Sequence, residues 1–351
     1  MCNIAGYNGS KRAAPILLEM LKRQEIYDGG LSAGIVTLHE GKLHYRKVVG
    51  DVDTLIRETD ALDLPGTIGI AHTRPAGNGL IYAHPHISNN GKIALVTNGM
   101  TPRTEEYQNT INSLARYLDS NGYTFPTQLD TPISGMCVLE NGKGVFVLDI
   151  DVNLIEQHMK EGMDYVAAAA RSAGEILADR VFVSINADCP DFFTVARVTR
   201  PMEILLSGGE SYIATTRLGF PEGVSGDVYT LPVLRAVKVG RGSFEVTEHR
   251  LGNGEVDEVT PAVYAKCYQR VLEILSGDNP VVWDDIELGL RDTKGIWHRN
   301  QYCTQHAKIG YDILSELMAE GKIESYLAPD VSGNTSRQLA RMRLKEEYRV
   351  K

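Results

Sequence analysis

Short apolar segments rich in β-branched residues recur through the first 250 residues and limit this part of the chain to a fold built on sheets. Segments of this length and composition are typical of strands. The predicted strands are 66–72, 92–97, 145–148, 180–185, 202–206 and 211–215, and apolar positions at helical spacing predict helices over 13–24, 104–118 and 165–178. Because the strands come in adjacent runs and do not alternate strictly with helices, the pattern indicates packed sheets flanked by helices.

The pattern changes near Gly252, beyond which the sequence favours helices almost throughout. The predicted helices are 261–275, 283–290, 305–320 and 335–348. We therefore predict two domains, 1–252 and a small, mainly helical domain over 253–351.

The third of these C-terminal helices, followed by Gly321 and a short strand, resembles a winged-helix element. A DNA-binding helix needs a basic face, but this one carries three acidic residues, Asp312, Glu316 and Glu320, against Lys308. The whole chain has 36 basic and 45 acidic residues, a net charge of −9. We therefore expect the element to pack or to contact protein, and we expect no nucleic-acid partner.

No apolar stretch approaches the roughly 18 residues that a membrane helix needs, and the first residues do not resemble a secretory signal. The five cysteines, Cys2, Cys137, Cys189, Cys267 and Cys303, are odd in number and widely scattered. This pattern is typical of free thiols in a reducing compartment. We expect a cytoplasmic protein that is not bound to a membrane.

Cys2 follows Met1 directly, and this position gives it unusual chemistry. The cysteine side chain is small enough for an aminopeptidase to remove Met1. Cys2 would then carry a free α-amine, whose pKa is near 8, beside its thiol. The amine can serve as the general base for the thiol, so that one residue supplies both the nucleophile and its base.

Three further segments supply groups that suit an amide substrate. Arg74 ends a predicted strand, and its planar guanidinium matches a carboxylate. Asn98 and Gly99 end another strand, where a side-chain amide and the next backbone N–H can form an oxyanion hole. Asp130 follows the segment 122–125 and could meet an ammonium group.

These segments resemble the class II, N-terminal-nucleophile (Ntn) glutamine amidotransferases, and most closely the glutaminase domain of the glutamine–fructose-6-phosphate aminotransferases. The segments that carry the resemblance are 2–7, 17–23, 31–34, 69–74, 83–86, 98–99, 122–125 with Asp130, and 212–215. Their order and spacing hold across about residues 1–250. The resemblance implies an α+β fold, a four-layer αββα Ntn-hydrolase sandwich.

The resemblance also implies a role for each matching residue. Cys2 would attack the side-chain amide carbon of glutamine, and Asn98 with the Gly99 N–H would hold the oxyanion. Arg74 would bind the α-carboxylate and Asp130 the α-ammonium.

His84 would line the pocket, although a purely structural histidine is an equal alternative. The products would be glutamate and ammonia. We predict no cofactor and no metal.

Several positions depart from the family pattern and point to an altered pocket. Gly77 replaces the threonine that touches glutamine, Asn78 replaces the following histidine, and Thr97 also stands where the family has histidine. Asp151, which precedes a helix predicted over 153–160, is the alternative to Asp130 as the ammonium ligand.

The resemblance leaves the ammonia acceptor open. The 99 residues after Gly252 are too few for the isomerase region of the sugar-phosphate enzymes. We therefore expect ammonia to pass to a partner synthase subunit, and the protein to form a homo-oligomer. The alternatives are an Ntn amidohydrolase acting on a different amide, and a non-catalytic glutamine-sensing or scaffold protein.

Overall fold

In the computed structural model, two antiparallel sheets lie face to face between helices. The structure describes residues 2–75, 79–100, 102, 104–293, 295–297, 304–330 and 337–349. Within these ranges the strands, in chain order, are β1 (Asn3–Asn8), β2 (Ser32–His39), β3 (Lys42–Val49), β4 (Ile68–Arg74), β5 (His86–Ile87), β6 (Ile93–Met100), β7 (Cys137–Val138), β8 (Gly144–Val145), β9 (Asp179–Asn186), β10 (Phe193–Arg197), β11 (Glu203–Ser207), β12 (Glu210–Ala214), β13 (Asp227–Thr230), β14 (Arg235–Gly240), β15 (Ser243–Arg250), β16 (Ile323–Pro329) and β17 (Gln338–Leu344).

The α-helices of the same ranges are α1 (Ala13–Glu25), α2 (Val52–Glu58), α3 (Glu105–Ser120), α4 (Val147–Lys160), α5 (Tyr165–Glu175), α6 (Pro261–Leu275), α7 (Trp283–Arg291) and α8 (His306–Ala319). Short 3-10 helices cover Ala61–Asp63, Leu80–Tyr82, Arg217–Gly219 and Glu346–Tyr348. None of the described helices is both long and apolar enough to cross a membrane.

One large sheet has seven strands in the order β13-β11-β12-β1-β4-β2-β3, and the other has six in the order β15-β14-β10-β9-β6-β5. Their facing sides share one apolar layer, in which Ile4 and Ile70 of the first sheet meet Val96 and Val183 of the second. Helices α1 and α2 cover the outer face of the first sheet. Helices α3, α4 and α5 cover the outer face of the second. The four-layer αββα sandwich predicted from the sequence is confirmed.

Strand β1 shows why the sequence folds this way, since it is buried on both faces. Successive side chains of a strand point to opposite faces. Ile4 accordingly packs between the sheets, while Ala5 and Tyr7 pack against α1. Gly6 leaves room for side chains of both sheets, because a Cβ there would lie 2.5 Å from the Ile213 side chain of the neighbouring strand β12 and 3.2 Å from the Phe193 ring of the facing sheet. The nucleophile candidate Cys2 is thus attached to one of the most buried strands of the molecule.

Helices α6, α7 and α8 and the β16–β17 hairpin share a separate core in which the Trp283 and Tyr311 rings stack with centroids 3.5 Å apart. The predicted helix over 335–348 is wrong, because the chain instead forms strand β17. Ala340, Met342 and Leu344 are buried at a spacing of two, which is the period of a strand paired with β16. Helix α8, which we expected to pack or to contact protein, is buried along most of its length.

The structure also corrects the segment around residue 147. Of the predicted strand over 145–148 only Val145 belongs to β8, and helix α4 begins at Val147, six residues before the predicted start. A continuous apolar run does not distinguish a strand from a buried helix, and α4 is buried on nearly every side. This earlier start places Asp149 and Asp151 inside the helix.

Candidate active site

A cavity of about 130 Å³ opens where β4 and β6 end and β1 and β9 begin, near the start of α4. Its lining residues are Cys2, Arg74, His84, Thr97, Gly99, Gly135, Phe146, Val147, Leu148 and Arg180. Four of the residues predicted from the sequence, namely Cys2, Arg74, His84 and Gly99, therefore meet in one small cavity. Asn98 precedes Gly99 on the same strand.

Pairing between β1 and β4 places the candidate nucleophile, Cys2, beside Arg74, the residue predicted to bind the substrate carboxylate. Asn3 lies opposite Thr73 in this antiparallel pair, so Cys2 and Arg74 leave the pair at the same end. The Asn3 side chain donates to the backbone oxygens of Gln24 and Asp28. These bonds fix the start of β1, while Cys2 itself stays partly exposed to the cavity.

Asn98 and Gly99 are held by pairing between β6 and β9, in which Gly99 lies opposite Arg180. Asn98 is 1% exposed. Its Nδ2 is buried and makes no hydrogen bond to any described residue. Because an unpaired buried donor is costly, an amide held in this way is suited to a negatively charged oxygen that forms during a reaction.

Arg74 is fixed by contacts on several sides. Its Nη1 donates to the backbone carbonyl oxygen of Tyr82 at 3.0 Å. Its guanidinium carbon lies 5.5 Å from the Tyr82 ring centroid and 5.8 Å from the Phe146 ring centroid. Its Nε is buried and has no partner among the described residues. The guanidinium is therefore preorganised and still has a donor free for an anionic ligand.

Three buried histidines lie at the cavity wall or behind it, and His84 is the one that lines the cavity. His72 and His84 stack with centroids 3.7 Å apart, and His84 Nδ1 accepts from the Thr97 N–H at 3.1 Å. Burial lowers the pKa of His72 and of His84 well below the usual range, and the Arg74 charge adds to the effect for both. Both rings are therefore neutral, and His84 combines a structural contact with a place in the cavity wall.

The third histidine, His86, forms a buried hydrogen bond with the Asp149 carboxylate, and burial lowers the pKa of its ring. His86 Nδ1 lies 2.8 Å from Asp149 Oδ1, and Thr127 donates to the other carboxylate oxygen through both its N–H and its hydroxyl. Burial alone would raise the pKa of Asp149, but the hydrogen bonds from His86 and Thr127 have the larger effect and hold this pKa below its usual value. The pair anchors the first turn of α4, which forms part of the cavity wall.

The structure does not bring Asp130 to the cavity. Its side chain is 89% exposed and pairs with Lys143 at 3.0 Å. The alternative, Asp151, is fully buried and its Oδ2 accepts from Arg180 Nη1 at 2.7 Å. Gly77 lies outside the described residues.

Arg180 is a cavity residue that the sequence reasoning missed. It occupies the second position of β9, inside a segment that we read as sheet. A charged residue beginning a buried strand is unusual unless it is paired, and this is the signal that could have identified it. Within the described residues, no group of three or more His, Cys, Asp or Glu side chains could hold a metal ion.

Comparison with solved structures supports the fold. Glutamine phosphoribosylpyrophosphate (PRPP) amidotransferase from B. subtilis has a TM-score of 0.59 and 17% identity, and the match covers 93% of this chain and 66% of that one. A structure described as the allosteric regulatory enzyme of purine biosynthesis gives the same TM-score and identity over 96% of this chain. The fold is that of the Ntn glutamine amidotransferases.

Sequence comparison gives a more particular relationship. The glutamine–fructose-6-phosphate aminotransferase of Pyrococcus horikoshii is 33% identical over 218 residues, which are 61% of this chain and 32% of that protein. The Methanosarcina acetivorans enzyme of the same name is 34% identical over 232 residues. No protein-family model matches the chain. The resemblance of the N-terminal part to these aminotransferases is confirmed, and the chain spans about one third of their length.

Proposed function

We propose that the chain is a class II glutamine amidotransferase that hydrolyses the side-chain amide of glutamine. The observation that carries this proposal is the meeting of Cys2, Arg74 and Gly99 in one cavity, next to an Asn98 amide with a free buried donor. Such a reaction needs three parts: a nucleophile, a group that binds the substrate carboxylate, and an oxyanion hole.

In the proposed mechanism, removal of Met1 frees the α-amine of Cys2, which takes the proton of the thiol. The sulfur attacks the amide carbon, and Asn98 Nδ2 with the Gly99 N–H stabilises the oxyanion. The intermediate collapses as the C–N bond breaks and the departing nitrogen takes the proton to leave as ammonia. Water then attacks the γ-glutamyl thioester through a second oxyanion, which releases glutamate and restores the thiol.

We further propose that the ammonia passes to an acceptor bound by a partner synthase subunit. Two similar proteins have names that describe the transfer of nitrogen from glutamine. One is a glutamine–fructose-6-phosphate aminotransferase and the other is a glutamine PRPP amidotransferase. In this proposal residues 1–252 form the glutaminase domain, residues 253–351 form the second domain, and the protein assembles as a homo-oligomer.

A second candidate is an Ntn amidohydrolase acting on a different anionic amide. It is favoured by the cavity wall, which carries two guanidiniums, Arg74 and Arg180, and by the surface position of Asp130. The alternative predicted from the sequence, Asp151, already pairs its Oδ2 with Arg180. An anionic substrate without an ammonium group would suit such a wall.

The deciding experiment combines intact mass with a substrate panel. We expect a native sample that has lost Met1 to release ammonia most rapidly from glutamine, and Cys2→Ala to release none. A faster reaction with α-ketoglutaramate, which lacks the ammonium group, would favour the second candidate. A sample that binds glutamine but hydrolyses nothing, with Met1 retained, would instead support a glutamine-sensing protein.

A further inference from the structure

Three arginines lie side by side on neighbouring strands of the six-stranded sheet. Arg197 ends β10, Arg235 begins β14 and Arg250 ends β15. Arg235 lies directly opposite Arg197 in one antiparallel pair and directly opposite Arg250 in the other. Residues opposite each other on adjacent strands project from the same face of a sheet, and adjacent strands are about 4.8 Å apart. The three residues, here called the arginine row, therefore span about 10 Å on one face.

The arginine row lines a cavity of about 770 Å³ where the sandwich meets the C-terminal helices, beside Gln305, which immediately precedes α8. Cavities of about 300–1,000 Å³ hold small organic ligands. Among the described lining residues only Glu255 is acidic, so three guanidiniums face one carboxylate. This local excess of positive charge occurs in a chain whose net charge is −9.

Arg197 is 1% exposed, and the groups that hold it carry no full charge. Its Nε donates to the Arg200 carbonyl oxygen at 2.7 Å, and its Nη1 donates to the Leu231 carbonyl oxygen. Its Nη2 donates to the Thr199 carbonyl oxygen at 3.2 Å and to Gln305 Oε1 at 3.3 Å. Each Nη of a guanidinium carries two N–H groups, so these bonds leave one N–H of Nη1 for a further acceptor. Burial lowers the pKa of Arg197 to about 10, and the group is therefore charged at neutral pH.

The arginine row has no anionic partner in the part of the chain that the structure describes. Arg250 Nη2 donates to the Gly254 carbonyl oxygen at 2.7 Å, and no described carboxylate forms an ion pair with any of the three arginines. By contrast, the neighbouring buried Arg200 pairs with Glu287 of α7. Like charges directly opposite each other in a sheet are destabilising, and a buried charge without a partner is costly. A bound anion would remove both costs.

We propose that the arginine row binds a small molecule that carries two or more phosphate groups. Guanidinium groups bind phosphate oxygens in pairs, and a row of about 10 Å can give neighbouring phosphates different arginine partners. Pro232, Val233 and Val256 form an apolar part of the wall that can contact an organic portion of the ligand. This cavity and the one that contains Cys2 share none of their described lining residues, so the inference does not rest on the proposed function.

Isothermal titration calorimetry of the full chain tests the proposal directly. The probes are inorganic pyrophosphate and a nucleoside diphosphate, and sulfate at matched ionic strength is the reference anion. We expect a diphosphate to bind at least roughly tenfold more tightly than sulfate, because it offers more acceptor oxygens to the row. Tighter binding of the nucleoside diphosphate than of pyrophosphate would identify an organic ligand, and equal or weaker binding an inorganic one. Absence of binding by both probes, or equally tight binding of sulfate, would overturn the proposal.

Arg235→Gln and Arg250→Gln separate the site from general charge effects. Both leave the buried Arg197 in place, so both should fold. We expect each to weaken diphosphate binding roughly tenfold, which is the usual effect of losing a hydrogen bond to a charged group. Arg241→Gln is the matched control, because Arg241 is exposed in the turn at the opposite end of the β14–β15 hairpin. Equal affinity in all four proteins, or equal weakening in all three variants, would contradict the proposal.

Thermal unfolding supplies a second readout that distinguishes a binding role from a structural one. Without ligand, Arg235→Gln should raise Tm by about 1–2 °C, because it removes a like charge that lies opposite two others. With a diphosphate, the Tm of the wild type should rise and that of Arg235→Gln should rise less. A lower Tm of the ligand-free variant would show that Arg235 supports the fold, and its weaker binding would then no longer support the site.

Discussion

Gly99 faces Arg180 across the β6–β9 pair so closely that a Cβ on Gly99 would lie 2.4 Å from the Arg180 Cβ and 2.6 Å from the Asp179 carbonyl oxygen. Real Cβ atoms do not approach other heavy atoms to this distance. The absence of a side chain at Gly99 therefore allows β9 to bring Arg180 to the cavity wall. The same glycine offers the backbone N–H of the proposed oxyanion hole.

The variant Gly99→Ala should lose both stability and activity. Separating β6 from β9 strains a packed region, and overpacking of this kind costs about 1–3 kcal/mol. We expect that loss in the free energy of unfolding, measured by urea denaturation, together with a large fall in kcat. Gly277→Ala is the control, because a Cβ there meets only ordinary contact at 3.6 Å. Equal stability of the two variants would contradict the prediction.

Asn98→Ala should reduce kcat while leaving KM nearly unchanged. Removing one oxyanion donor costs about 10²- to 10³-fold in kcat, and the Asn98 Nδ2 makes no hydrogen bond to the described residues that the substitution would break. Steady-state kinetics with glutamine measures both constants. Asn121→Ala, on the exposed end of α3, is the control. A rise in KM with unchanged kcat would show that Asn98 binds substrate instead.

Asp130 and Asp151 should respond differently to substitution by Asn. Asp130 forms a surface ion pair with Lys143, and such pairs contribute less than about 1 kcal/mol. We expect Asp130→Asn to keep both kcat and KM within about twofold of wild type.

Asp151→Asn removes the partner of a buried guanidinium, so it should lower the free energy of unfolding by roughly 3 kcal/mol. Denaturation and glutamine kinetics on both variants test the pair. A large KM increase in Asp130→Asn alone would restore Asp130 as the ammonium ligand.

Glu25 should make folding stability depend on pH. It accepts a hydrogen bond from Thr73 Oγ1 at 2.7 Å, and burial raises its pKa from 4.5 to about 7. Between pH 4.5 and about pH 7, Glu25 keeps a proton in the folded state that it has lost in the unfolded state. The free energy of unfolding of the wild type therefore falls as pH rises through this range.

We therefore expect Glu25→Gln to gain stability relative to wild type, by about 3 kcal/mol at pH 8 and by less than about 1 kcal/mol at pH 5. Thermal unfolding across this range measures the difference. Glu19→Gln, on the exposed face of the same helix, should show no such trend. A constant difference between Glu25→Gln and wild type at all pH values would contradict the assignment.

The αββα sandwich could be predicted because local pattern and tertiary packing agree over 1–250. The buried strands read as apolar runs, and helices such as α1 and α6 show helical spacing that the structure reproduces. Strand β17 was missed although the sequence carries a signal for it. Residues 340–344 alternate apolar and charged, which is the period of a strand paired with β16.

The site was predictable where residues adjoin recognisable strand ends, as for Cys2, Arg74, Asn98 and Gly99. The site was not predictable where a side chain comes from a part of the sequence far from those strand ends. Counting from the segment 122–125 led to Asp130, but the irregular segment that follows it carries this carboxylate to the surface. The acidic residues that approach the cavity region instead lie within the buried helix α4.

The contact surface between the sandwich and the C-terminal helices is rich in charge. Arg200 meets Glu287, and the Lys308 ammonium lies 2.9 Å from Glu203 Oε1. A chain cut after residue 252 would leave Arg200 and Glu203 without these counter-ions, together with an uncovered Tyr27 from the neighbouring apolar core. Residues 1–252 are therefore poorly suited to transfer into another protein as an isolated domain. A chimera that contains them should keep α7 and α8, or supply another carboxylate for Arg200 and another cation for Glu203.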